Sequence, residues 1–388
     1  GHEYINLNTT LTVSILNSTK VYGNPDPTFS LTIAGLPVGL TYTTVFSRDP
    51  GENVGQYTVY LASIKILNGI LDVTNSFSLN VSTGYLTITP RSLTVTPNAG
   101  QSKAYDGTSD ANITYSYTGT INNDIVGFGG TLSQSGIHTG SYNILQNTLY
   151  STNGNYSINF ANGVKYQITP RPLTVTANAQ SRVYGDVDPS LTWQITSGSL
   201  ISGDSLTGSL SRIPGNNVGT YQILQNTLAA SNDYSLSYNG ANFNITPRTL
   251  IVNVTSGQSR QYDGTSNANI AYTYTNAVSG DTNLLSGALA QNGIDAGTYK
   301  VNAGTLQSVN SNYTFTLTPG NYQITPRQVA ITADAATKIY GYADPVFTWQ
   351  VTSGSIIAGD VFNGALSRNE GENVGTYQIS LGSLNGES

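Results

Sequence analysis

The chain has 388 residues, of which 38% are hydrophobic and only 9% charged, with 26 tyrosines, 41 glycines and no cysteine. A net charge of −6 without any basic cluster removes the electrostatic footprint of nucleic-acid binding or of an anionic membrane surface. The missing thiols exclude disulfides, zinc–thiolate centres and cysteine chemistry, and no run approaches the ~18 apolar residues of a membrane span.

Thr, Val, Ile and Tyr dominate the runs between clusters of Gly, Asn, Ser and Asp, the composition of short strands joined by tight turns. The chain therefore reads as all-β. It opens on Gly1-His2, which reads as a cloning scar, and shows no signal-peptide pattern, so it is expected to be a soluble piece of a larger product.

Along the chain, Ile-Thr-Pro-Arg recurs four times, with Pro at 90, 170, 247 and 326, that is 80, 77 and 79 residues apart. A period this long is a whole small domain. Five repeats fit: 4–90, 91–170, 171–247, 248–326 and 327–388. They alternate in flavour. The odd ones carry "KVYGNPDP" from Lys20, "RVYGDVDP" from Arg182 and "KIYGYADP" from Lys338; the even ones carry "KAYDGTSDANITY" from Lys103 and "RQYDGTSNANIAY" from Arg260. Tyr22, Tyr105, Tyr184, Tyr262 and Tyr340 thus occupy one recurring position, read as an anchor within each repeat.

A second recurring tyrosine stands in Gly-x-Tyr: Tyr57, Tyr142, Tyr221, Tyr299 and Tyr377. In the fourth repeat it lies in "DAGTYKV", close to the tyrosine corner of immunoglobulin-like sandwiches, where the phenol bonds to upstream backbone; the other repeats lack that Asp. Within the third repeat, strands are expected near 173–177, 191–196, 208–212, 220–228, 234–238 and 243–246, with a short helical turn near "SGDSLTG" from Ser202. The resulting bead is an immunoglobulin-like β-sandwich or, alternatively, a β-grasp-like domain. The fifth repeat stops about 16 residues short of the others by the repeat arithmetic.

Each Ile-Thr-Pro-Arg closes one repeat as the next begins, so Pro90-Arg91, Pro170-Arg171, Pro247-Arg248 and Pro326-Arg327 read as interdomain joints. Proline fixes its own φ and keeps the preceding Thr extended, and no Gly/Ser linker intervenes. An elongated, monomeric rod is expected, about 180–200 Å long if each repeat spans strands of 6–8 residues plus turns.

"VYGDVDP", "NNVGTYQI" and "YSLSYNGANFNITPR" with their counterparts resemble the mostly-β glycine-rich (MBG) repeats, while "KAYDGTSDA" and "RQYDGTSNA" resemble YDG repeats. The resemblance makes 4–90, 171–247 and 327–388 MBG-type, the last truncated at its C-terminal end, and 91–170 and 248–326 YDG-type. It covers nearly the whole chain. It implies the stalk of an exported bacterial adhesin, extracellular at the cell surface or secreted, and transfers no catalytic residues.

Chemistry finds little purchase. Of two histidines one is His2 and the other, His138, precedes Gly-Ser-Tyr in a turn, and "GFGG" from Gly127 lacks the helix of a dinucleotide loop; no enzyme is expected, and no cofactor. Asp26, Asp186, Asp188 and Asp344 lie in acidic turns, the residue type calcium uses, but they offer one or two carboxylates where calcium takes about 6–8 oxygens. Lys20 and Lys103 are replaced by Arg182 and Arg260 in sister repeats, against an isopeptide bond. Trp193 and Trp349 alternate with Leu191 and Phe347 as core residues do. Tyr117 and Tyr274 remain surface candidates for a glycan or cell-surface ligand, the alternative in which the repeats themselves bind. Neighbouring repeats of the same chain are the expected partners otherwise.

Overall fold

The computed structural model describes residues 9–387; Gly1, His2 and the opening residues of the first repeat lie outside that range. The chain divides into two units, one of Gly1–Val175, Ile195–Thr207 and Ala229–Ser237, the other of Thr176–Gln194, Gly208–Leu228 and Tyr238–Ser388. The third repeat contributes to both. The expected all-β, repeating architecture is what the chain adopts: among the described residues there is no α-helix, only one 3-10 turn at Thr74–Ser76.

In the first unit, the second repeat displays the plan. Its opening strand Arg91–Pro97 pairs antiparallel with Tyr115–Thr118 and parallel with Tyr156–Phe160. Strand Lys165–Thr169 pairs parallel with Ser102–Ala104 and antiparallel with Gly140–Asn143. Alternation decides the faces: Leu93 and Val95 are fully buried, Thr94 between them is half-buried, and Ser92 and Thr96 on either side are exposed, the period of 2 that a half-buried strand requires. Val95, Ile113, Leu132, Ile144, Leu149 and Tyr166 form the interior. The first repeat follows the same plan but lengthens one hairpin, Thr41–Arg48 against Gly55–Asn68.

In the second unit, the fourth repeat repeats it. Arg248–Val254 lies between Tyr272–Thr275, antiparallel, and Tyr313–Leu317, parallel. Asn321–Thr325 lies between Ser259–Gln261, parallel, and Gly297–Lys300, antiparallel. Here Val252, Ile270, Leu289, Val301, Leu306 and Tyr322 fill the interior. Each of these two sheets thus holds one parallel and one antiparallel pair.

The strand expectations for the third repeat mostly meet their counterparts, including Tyr234–Asn239 and Asn242–Thr246. Two differ. The segment 220–228 ends as a strand at Leu224, because Asn226 takes a left-handed φ of 50° that breaks the ladder. The helical turn near Ser202 is a single turn closed by Asp204 N–H to the Ile201 carbonyl at 3.0 Å, with no helix following; what this turn does is present the Asp204 carboxylate.

Candidate functional site

All four joints lie inside one unit or the other. At the first three, a strand ends at Thr89, Thr169 or Thr246, a single proline follows, and the next strand starts at Arg91, Arg171 or Arg248. Proline has no N–H to leave unpaired, and the arginine beyond it donates its own into the new repeat, to the carbonyls of Asn155, Asp233 and Asn312 at 2.8–2.9 Å. The threonine before it accepts from the recurring tyrosine: the amides of Tyr22, Tyr105, Tyr184 and Tyr262 donate to Thr89, Thr169, Thr246 and Thr325, each at 2.9 Å. The joint arginines then reach back. Arg91 Nε donates to the Tyr22 carbonyl at 3.0 Å, Arg248 Nε to that of Tyr184 at 2.7 Å, and Arg248 also engages Asp186. Arg171 and Arg327 bond forward, to the Ser199 and Ser355 carbonyls at 3.0 and 2.9 Å, and Arg171 Nη1 also donates back to the Tyr105 carbonyl at 3.4 Å.

The side chain of the recurring tyrosine crosses the joint. Tyr22 donates to Asp124 Oδ2 of the second repeat at 2.9 Å, and Tyr156 donates to the same oxygen at 2.7 Å. Tyr184 and Tyr313 meet on Asp281 at 3.2 and 2.6 Å, Tyr234 donates to Asp204 at 2.6 Å, and Tyr262 donates to Asp360 at 2.9 Å. The phenol rings pack edge to face, Tyr22 on Tyr156, Tyr105 on Tyr234 and Tyr184 on Tyr313, with centroids 5.4–5.6 Å apart, the geometry aromatic quadrupoles favour. The residue expected to anchor each repeat packs against its own interior, as Tyr22 and Tyr184 do, and also clasps the next repeat. Tyr22, Tyr105 and Tyr262 are buried and Tyr184 nearly so, whereas Tyr340, in the last repeat, is 66% exposed.

Burial and the adjoining carboxylate both disfavour phenolate. Burial foremost, then Asp204, pushes Tyr105 up to about 12; burial, then Asp281, does the same to Tyr313. The hydrogen bond to Asp124 raises Tyr22, and that to Asp360 raises Tyr262.

The glycine that follows the tyrosine completes the contact. Gly185 sits at φ +84°, and a Cβ there would lie 2.2 Å from Val278 Cγ2 of the fourth repeat. A second clasp caps the loop before Gly-x-Tyr. Asn155 accepts from Val54 N–H at 2.8 Å and Asn312 accepts from Val218 N–H at 2.8 Å. At the second joint this residue is Asp233, which accepts from Thr139 N–H at 2.7 Å and lies 2.8 Å from His138 Nδ1. Burial would raise the Asp233 carboxyl, but the Thr139 amide and His138 outweigh it and hold it below the ordinary value.

The second tyrosine set serves its own repeat. Tyr57, Tyr142, Tyr221, Tyr299 and Tyr377 each donate to the carbonyl four residues upstream, Asn53, His138, Asn217, Asp295 and Asn373, at 2.8–2.9 Å. All five make the corner bond, because the acceptor is backbone and the Asp seen only in the fourth repeat is not needed for it. Three of the four acidic-turn carboxylates are occupied by cations of the same repeat, Asp188 by Arg182 and Arg212 at 2.6 and 2.7 Å, Asp344 by Lys338 and Arg368, and Asp26 by Lys20 and Arg48, while Asp186 is taken by Arg248 of the next. Lys103 donates to Asp106 and to the carbonyls of Thr108 and Asp110. Of the other candidates, Trp349 packs edge-on against Phe362, Tyr117 is 41% exposed beside Phe128, and Tyr274 is half-buried against the interior.

Sequence reasoning placed the tyrosines and the Pro-Arg steps but missed their partners Asp124, Asp204, Asp281 and Asp360 and the tyrosines Tyr156, Tyr234 and Tyr313. Both sets recur at one phase of the period, which is the signal that was available.

Small all-β repeats, each clasped to its neighbour through tyrosine, aspartate and a proline step, define a tandem β-repeat protein. The chain belongs to the MBG domain family, YGX type, whose model matches residues 11–68, 93–164, 173–244, 250–323 and 329–387. Both Tyr-Asp-Gly repeats match the same model as the Tyr-Gly repeats. No curated protein matches the chain. No helix among the described residues is long and apolar enough to cross a membrane.

Proposed function

We propose that this chain is a structural spacer: a stalk region of an exported bacterial adhesin that projects a binding tip for attachment to cells or a biofilm matrix, outside the cell. Its work is mechanical and its partners are its own neighbouring repeats, held as a monomeric, elongated rod. The observation that carries this reading is the clasp itself. A phenol-to-carboxylate bond crosses the first, third and fourth joints, at the second Tyr105 packs edge-on against Tyr234, which donates to Asp204, and no flexible linker stands at any of the four, so the residues most strictly repeated serve connection between repeats. A single-proline joint with hydrogen bonds on both sides limits bending, which a spacer requires and a chain of independent binding modules does not.

Small-angle scattering on the full chain, with glycan-array and cell-binding screens on the same sample, tests this. A particle about 180–200 Å long, the sum of five repeats with strands of ordinary rise, and no ligand binding are expected; a compact particle overturns the proposal. A second reading, in which the repeats bind a glycan themselves, draws on the exposed Tyr117 ring. Array binding abolished by Tyr117→Ala would establish it instead.

A further inference from the structure

The first repeat carries one hairpin far longer than its counterparts. Thr41–Arg48 runs antiparallel to Gly55–Asn68 from Thr41↔Leu67 to Arg48↔Val59, its one irregularity an extra residue, Ala62, on the inner strand. In the second, third and fourth repeats the same hairpin is cut by a pair of left-handed residues, Gly130 with Asn147, Gly208 with Asn226 and Gly287 with Gly304. What remains are strands of two residues, Phe128–Gly129, Ser211–Arg212 and Leu285–Ser286. In the first repeat, "TYTTVFSR" from Thr41 and "YLASIKILN" from Tyr60 hold no left-handed residue, and the ladder runs through.

The outer strand of this hairpin is an edge. Among the described residues Thr41–Arg48 ends its sheet, paired only with Gly55–Asn68. That openness is lateral and does not depend on what precedes or follows: the short counterparts in the second, third and fourth repeats, each flanked by a repeat on both sides, are also paired on one side only. The inner strand fixes the phase of the free groups. Ile66 directs its N–H to Thr74 Oγ1 at 2.8 Å, and its carbonyl accepts from Val73 N–H at 2.9 Å, both away from the outer strand; its partner Tyr42 therefore faces outward too. At the far end Asp49 N–H donates inward, to the Thr58 carbonyl at 3.0 Å. By alternation Tyr42, Thr44, Phe46 and Arg48 offer their main-chain donors and acceptors to the outside. Natural edges are blunted by shortness, charge, proline or a bulge. This one is eight residues long and holds no proline, and its single charge, Arg48, is turned in to Asp26 and Glu52.

We propose that this edge pairs with the same edge of a second copy of the chain, the two Thr41–Arg48 strands running antiparallel about a two-fold axis at Val45. The geometry selects the partner. Antiparallel pairing sets outward-facing residues opposite outward-facing ones, and of the registers in that phase the one centred on Val45 engages the whole strand: Tyr42 opposite Arg48, Thr44 opposite Phe46, Val45 opposite its own copy. About eight main-chain hydrogen bonds close, two for each outward-facing pair. Val45, 58% exposed, is covered by its counterpart. Each Arg48 meets a tyrosine ring, which attracts a cation, and the two arginines stand at opposite ends of the ribbon, so no like charges face each other. Eight residues a side fall short of the ~20–30 of a standard interface, so the pairing is weak and takes effect where copies are concentrated. The inference goes beyond the spacer reading, in which the dilute chain is a monomer: it joins spacers edge to edge and alters no joint.

Sedimentation of the full chain between about 1 and 500 µM, the range of weak interfaces, with amide exchange on the same samples, tests this. Expected is a reversible monomer–dimer equilibrium in which exchange slows at Tyr42, Thr44, Phe46 and Arg48 and is unchanged at Thr43 and Ser47, whose amides point inward. Val45→Lys sets like charges opposite each other at the axis and should weaken the dimer about fivefold or more; mixing it with Val45→Glu should restore the pairing, because unlike charges then meet. Thr44→Pro removes an N–H that the chain itself does not use, as an edge strand tolerates, and should abolish the dimer with circular dichroism intact. A folded chain that stays monomeric up to about 500 µM overturns the proposal. So does a dimer indifferent to Val45→Lys, protection that lies outside Thr41–Arg48, or growth into open fibres instead of a closed two-fold pair.

Discussion

Removing the Asp124 carboxylate should open the first joint without unfolding the repeats on either side. In Asp124→Ala two buried phenols lose their common acceptor, Tyr22 at 2.9 Å and Tyr156 at 2.7 Å. A hydrogen bond to a charged group contributes about 1.5–3 kcal/mol. Some of the carboxylate's desolvation is recovered when it is deleted, so the lower ends apply, and the two bonds together give a loss of about 3 kcal/mol at the joint. Tyr22→Phe removes one bond and keeps the ring against Tyr156, so it should cost about 1.5 kcal/mol. Because both changes act on one bond, they must not add: the double variant should fall short of the sum by about 1 kcal/mol or more.

Whole-chain denaturation is the wrong assay, since a repeat array does not unfold as two states. Amide exchange on the full chain reads local opening directly. The informative amides are those of Tyr22, bonded to Thr89, and Arg91, bonded to Asn155, with the amide of Arg248 at the third joint as an internal control that should not move. Additivity within about 0.3 kcal/mol, or exchange that accelerates at Tyr22 only together with the interior amides of the first repeat, would refute the clasp.

Gly185→Ala should weaken the third joint by more than the ~1–2 kcal/mol of a left-handed alanine, because its Cβ meets Val278 at 2.2 Å; Gly341→Ala, at the same φ region with nothing within 4 Å, should show the backbone cost alone, by the same exchange measurement. Raising pH should open the joints: Tyr105 and Tyr313 are held at about 12 in the folded chain against an ordinary 10.0, so the stability they contribute is complete below pH 10.0 and is lost as pH rises through about 12. Tyrosinate absorbance should then show a late-ionising fraction that coincides with joint opening, and a single early titration of all 26 tyrosines would contradict it. In acid the second joint should respond distinctively. Asp233 is held below the ordinary 3.8, so its contribution is complete above 3.8 and disappears as pH falls through the lowered value; Asp233→Asn should abolish that acid sensitivity while leaving the first and third joints, which already carry Asn155 and Asn312, unchanged in amide exchange.

Much of this architecture was legible because repetition amplifies weak local signals. One strand of alternating Leu and Val is ambiguous, but Ile-Thr-Pro-Arg at four equivalent positions marks where strands end and begin, and the structure puts strand ends there. The direction of the clasp was not legible, for a reason that repetition itself creates. A contact from a residue to its own repeat and a contact from that residue to the following repeat produce the same periodic pattern, since a shift by one period maps one onto the other. Tyr22 recurs at a fixed phase whether it anchors inward or reaches Asp124. Only the position of the acceptor breaks that degeneracy: Tyr22 reaches Asp124 of the following repeat at 2.9 Å. The first repeat carries Leu40 in the turn where later repeats have Asp124, Asp204, Asp281 and Asp360, as the matching bond from Leu40 N–H to the Pro37 carbonyl at 3.3 Å identifies. It likewise carries Phe77, paired with Thr9, where the second and fourth carry Tyr156 and Tyr313, paired with Arg91 and Arg248. The first three joints are thus composed from both sides, with the recurring tyrosine supplied by the repeat that precedes and aspartate with a second tyrosine by the repeat that follows, and Tyr22 and Tyr184 connect repeats while also packing against the interior of their own.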